Sequence, residues 1–63
     1  MRKYIVNFHY TDKNGKEIHG IHEYNTDKDY VNSVINKCKE SIRERTGVFT
    51  VVIDKITCNG KNV

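Results

Sequence analysis

Two alternating runs of residues meet at an Asn-Gly pair near the start of the chain, and they limit what it can become. In residues 3–11, Tyr4, Val6, Phe8 and Tyr10 fall on one side and Ile5, Asn7 and His9 on the other. Successive side chains of a pleated backbone point to opposite faces, so this period of two specifies a strand. The second run spans Glu17 to Asn25, with Asp12-Lys13-Asn14-Gly15-Lys16 between the two. Asn-Gly in that place predicts a hairpin, because both residues tolerate the positive φ that tight turns demand.

Burial decides between two registers. A two-residue Asn14-Gly15 loop would pair Phe8 with Ile21 and Tyr10 with His19, leaving Ile18 and Tyr24 on the wrong side of the sheet. A three-residue loop, Lys13-Asn14-Gly15, pairs Tyr10 with Ile18, Phe8 with Gly20 and Tyr4 with Tyr24. It gathers Tyr4, Val6, Phe8, Tyr10, Ile18 and Tyr24 on one face and is preferred, although it also puts His22 there, opposite Val6. Gly20 then makes room for the Phe8 ring.

The period changes after Asn25. Thr26 or Asp27 reads as a helix N-cap with Asp29 in the first turn. Val31, Val34, Ile35, Cys38 and Ile42 form a stripe at helical spacing. Acids Asp27 and Asp29 open the segment and Arg43 and Arg45 close it, which suits the helix dipole, and Gly47 is a natural stop. A third strand is predicted from Val48 to Ile53, with Phe49, Val51 and Ile53 facing the helix. Asp54-Lys55 interrupts the pattern, and Ile56 and Cys58 extend the strand past a bulge. Residues 58–63 read as a frayed tail.

The predicted fold is α+β, a ββαβ single domain over 1–63 with a three-stranded antiparallel sheet ordered 2-1-3 and one helix on one face. Composition agrees: the chain has no Leu, Ala, Pro, Gln or Trp, and its aliphatic side chains are seven Ile and seven Val, which suit strands. At 63 residues the margin of stability is thin, since a chain this size buries only about 60% of its unfolded surface. No apolar run approaches the roughly 20 residues of a membrane span. The N-terminus, Met1-Arg2-Lys3-Tyr4, lacks the apolar core of a signal peptide, so a cytoplasmic protein with reduced cysteines is expected. Cys38 reads as a small apolar filler and Cys58 as a free thiol, with a Cys38–Cys58 disulfide as the alternative.

One helix covers one face of a sheet, so the other face is the first candidate surface. It would carry Ile5, Asn7, His9, His19, Ile21, Glu23 and Val52, with one apolar residue from each strand. Apolar groups left in water on three neighbouring strands mark a contact face for a protein partner or a second copy, although singly exposed apolar residues are common. The free sheet edges offer strand addition.

The formal charge of +3 is spread evenly along the chain, which weakens a nucleic-acid reading from charge alone. On a helical wheel, however, Lys28, Asn32, Asn36, Lys39 and Arg43 fall on one flank, where cations could meet phosphates and amides could reach sugar or base edges. The plainer account is a solvated flank whose lysine stems cover the core. The tyrosines and Phe8 could form a stacking platform, but the preferred register turns them toward the helix.

His9 and His19 lie opposite each other across the hairpin, close enough to share a metal ion. Two ligands are too few for a structural zinc site, so no metal and no cofactor is expected. Weak pH sensitivity of association is the simpler consequence of paired imidazoles. An enzyme is not expected: a strand-strand-helix nuclease would need a metal ligand on the helix, which has no His. No phosphate loop or nucleophile set is present either.

The expected function is therefore a non-enzymatic interaction protein acting through the helix-free face or a sheet edge. Its size class fits a phage or mobile-element regulator or inhibitor of a host nucleic-acid enzyme, of anti-CRISPR or anti-restriction type. The alternative is a small basic nucleic-acid binder using the Lys28, Lys39 and Arg43 flank.

Overall fold

In the computed structural model, which describes residues 1–63, the hairpin takes the three-residue-loop register. Strands β1 (Arg2–Thr11) and β2 (Glu17–Thr26) pair antiparallel, with Tyr10 opposite Ile18, Phe8 opposite Gly20, Val6 opposite His22 and Tyr4 opposite Tyr24. Gly15 sits at φ 81° and donates its N–H to the Asp12 carbonyl at 3.1 Å. The Asp12 carboxylate accepts the N–H groups of Asn14 and Lys16, each at 2.9 Å, so the turn holds itself. A Cβ on Gly20 would lie 2.6 Å from Cζ of Phe8, which confirms why this strand carries a glycine.

Helix α1 spans Val31–Thr46 and starts later than the sequence predicts. Its N-cap is Tyr30, without a side-chain capping bond, and no acid lies in the first turn. Thr26 instead shapes the loop before it: its hydroxyl accepts the N–H groups of Lys28 and Asp29 at 3.1 and 3.2 Å. A threonine hydroxyl serves a turn as readily as a cap, and the sequence does not separate the two. Asp29 accepts from the Lys37 ammonium and, at 3.3 Å, from the Tyr24 hydroxyl. Lys37 also donates to the Tyr24 oxygen at 2.8 Å. The same loop is clamped by Arg2, whose guanidinium donates to the Asp27 and Asp29 carbonyls at 3.0 and 3.1 Å. At the other end Gly47, at φ 75°, donates to the Arg43 carbonyl, and Arg43 and Arg45 occupy the last turn as expected.

The third strand is the largest departure from the sequence reading. Residues 48–51 are not strand, and β3 runs Val52–Cys58. Of the residues expected to face the helix, Val51 is buried and Ile53 is half-buried, but Phe49 is 77% exposed. The Phe49 ring lies 5.6 Å from the Arg43 guanidinium instead. A continuous alternating run was a fair strand signal, but a strand also needs a ladder partner, and pairing with β1 begins only at Val52–His9. The anticipated bulge is present. Phe8 faces Ile53 while Asn7 faces Lys55, so Asp54 is the extra residue. That single insertion restores the phase and sends Ile56 into the core.

The tail is ordered. Asn59 (φ 52°) and Gly60 (φ 86°) form a tight turn, and β4 (Lys61–Asn62) pairs with Cys58 and Thr57. The second Asn-Gly of the chain is thus also a hairpin, and the sheet has four strands ordered β2-β1-β3-β4 rather than three. The core lies between this sheet and α1: Tyr4, Val6, Phe8, Val34, Cys38, Ile42, Val51 and Ile56 are buried. No helix is long and apolar enough to cross a membrane.

Candidate interaction face

The face away from the helix is a small grid set by the strand registers. One row reads His19, His9, Val52; the next reads Ile21, Asn7, Lys55; the third reads Glu23, Ile5, Thr57. All six predicted contact residues, Ile5, Asn7, His9, His19, Ile21 and Val52, share this face. Ile21 is 70% and Val52 48% exposed, whereas Ile5, on the central strand, is half-buried. The three apolar residues occupy different rows and do not form one stripe. Between them stand Asn7, Lys55 and the Lys3–Glu23 ion pair at 3.5 Å. The face is mixed rather than greasy, as protein contact surfaces commonly are.

Beside Ile21 lies an open hollow of about 280 Å³, lined by Asn7, Phe8, His19, Gly20, Ile21 and Asp54. Asp54 was not among the predicted site residues. The bulge that restores core phase also directs its carboxylate to His9. The His9 Nδ1–H is shared between both Asp54 oxygens at 2.7 and 2.8 Å, which holds the imidazole pKa above its ordinary value. Across the hairpin the His19 ring centroid lies 5.4 Å from that of His9. His19 Nε2 donates to Glu17 at 2.9 Å, and this hydrogen bond lowers the Glu17 carboxyl pKa. Two polar residues in succession within an alternating strand were the signal that could have placed Asp54 here, since bulges commonly re-aim one side chain.

The edges differ. The outer edge of β2 is open along its length, while β4 covers Thr57 and Cys58 of β3, the Val63 N–H reaches the Ile56 carbonyl at 3.2 Å, and Val52–Lys55 are left free.

The basic flank is partly assembled. Asn36, Lys39 and Arg43 line one concavity of about 290 Å³ with Glu40 and the exposed Phe49 ring. Asn32 is exposed one helical turn earlier, and Lys28 precedes the helix, so it does not belong to the wheel position assigned to it. Glu40 places a carboxylate among the cations, which opposes phosphate binding.

Both cysteines are free thiols, Cys38 buried and Cys58 half-buried, and no disulfide joins them. Burial pushes the Cys38 thiol pKa up, which makes it inert. Comparison with protein-family models, curated proteins and solved structures finds no match to this chain.

Proposed function

We propose that the protein is a non-enzymatic interaction module that engages a protein partner through the helix-free face, with Ile21 as its apolar anchor. The observation that carries this reading is Ile21 itself. It projects 70% exposed from the face that the helix does not cover, next to a hollow that could receive a partner side chain. Polar neighbours around one apolar anchor favour a wet, reversible contact over an obligate dimer core. A role as a phage or mobile-element inhibitor of a host nucleic-acid enzyme is one use of such a surface. The test is partner capture by wild type and by Ile21→Glu, with far-UV circular dichroism to verify the fold. Binding should fall at least about tenfold in the variant; unchanged binding would remove this face from consideration.

One observation supports a second reading, nucleic-acid contact through the flank. Phe49 stands exposed beside Arg43 and Lys39, an aromatic next to cations as in single-strand binders. Salt separates the readings: phosphate contacts weaken steeply between about 50 and 200 mM salt, whereas an apolar anchor barely responds. A gel shift with unrelated single-stranded DNA and RNA at low salt, repeated with Arg43→Glu, tests it; no shift with wild type excludes it.

A further inference from the structure

His9, His19 and Asp54 come from three different strands, yet one ligand atom from each lies within 4.8 Å of the others. The sequence offered only the two histidines, too few to hold a metal. The bulge in β3 supplies the third donor. We propose that these three side chains bind a single zinc ion, with the fourth coordination position open to water or an incoming donor.

The donor set argues for the metal. Two imidazoles and one carboxylate suit zinc and its first-row neighbours, whereas magnesium and calcium take oxygen ligands. Three protein ligands with a vacant fourth position is the usual open zinc arrangement. In a tetrahedral site with bonds of about 2.0–2.1 Å, ligand atoms stand roughly 3.3 Å apart. His9 and Asp54, now 2.7 Å apart, must separate slightly, and His19 must swing inward. The His19 side chain is 64% exposed, so this needs side-chain rotation and no movement of the sheet. When the ion takes Nδ1 of His9, the proton now shared with Asp54 moves to Nε2 of the same ring, which stays neutral. Glu17, beside His19, adds a second carboxylate, and the two together balance the charge of the dication. The hollow bordered by His19 and Asp54 gives the fourth ligand room. Coordination would also tie β1, β2 and β3 together on the side where no helix packs.

The experiment is titration of the full chain with zinc chloride by calorimetry, followed by cobalt(II) substitution read by visible absorption. Wild type should bind one ion per chain, with tetrahedral cobalt bands, and excess magnesium should not compete. Thermal unfolding should shift upward with zinc, because the ion binds the folded chain preferentially. His19→Ala, exposed and unconnected to the core, and Asp54→Asn should each weaken binding at least about tenfold, while His22→Ala, on the opposite face, should not. Absence of saturable binding, one ion per two chains, octahedral cobalt, or wild-type affinity in His19→Ala would each overturn the site. Zinc binding is read on the isolated chain and partner capture in a separate assay, so either proposal can fail without the other.

Discussion

Single side chains at a few positions carry consequences well beyond their size. Gly20 is one, because any side chain there must displace the Phe8 ring from a packed core. Gly20→Ala should cost about 1–3 kcal/mol, as overpacking does, measured by urea denaturation. The cysteines give a second check. A thiol reagent should modify Cys58 in the native protein and reach Cys38 only on unfolding, since Cys38 is fully enclosed by the helix–sheet core. Equal labelling of both would contradict that packing. Residue type foretold Gly20 well. It could not foretell Asp54, whose role depends on a neighbouring strand.

At the scale of elements, the hairpin and the end of the helix were legible because their signals are local. Asn-Gly turns, alternation and a C-terminal glycine act within a few residues of one another. The start of the helix was misplaced because Thr26, Asp27 and Asp29 all had capping chemistry, but Thr26 closes the preceding turn, Asp27 pairs with the Met1 ammonium at 3.1 Å and Asp29 pairs with Lys37. Asp29 is held by Lys37, a turn into the helix, which keeps its carboxyl pKa low and pushes the lysine pKa up. The sign of the pH effect follows. The acid's contribution is complete above the ordinary carboxyl range and is lost as pH falls through the depressed value. The lysine's is complete below its ordinary range and is lost as pH rises through the elevated one. Lys37→Met should therefore flatten the acid limb of a stability-against-pH curve while leaving the neutral plateau folded. An acid limb as steep as that of wild type would show that this clamp contributes nothing.

For the whole molecule, the balance is narrow. Eight buried side chains form the core, and a domain of this size seldom holds more than about 3–5 kcal/mol. Ile42→Ala removes one of the largest fully buried side chains and should cost about 2–5 kcal/mol, enough to leave much of the population unfolded by circular dichroism at 25 °C. Ile21→Glu, on the uncovered face, should leave the melting temperature nearly unchanged, because it alters no core contact. That contrast between equally apolar residues is a property of the layer arrangement, with a helix on one side of the sheet and water on the other.

Periodicity, turn chemistry and the order of elements were enough to determine the hairpin register, the helix stripe, the α+β class and the face left open. Each depends on neighbours along the chain or on the rule that one helix shields one side of a sheet. Tertiary structure decided the rest. It truncated the third strand, whose pairing with β1 begins only at Val52, and left Phe49 exposed. It folded the tail into a fourth strand, and it brought Asp54 to His9 through a bulge. The strand truncation and the His9–Asp54 contact turn on pairing between residues 40 or more positions apart, which no local pattern encodes, whereas the fourth strand is a local hairpin at Asn59-Gly60 whose Asn-Gly signal was in the sequence.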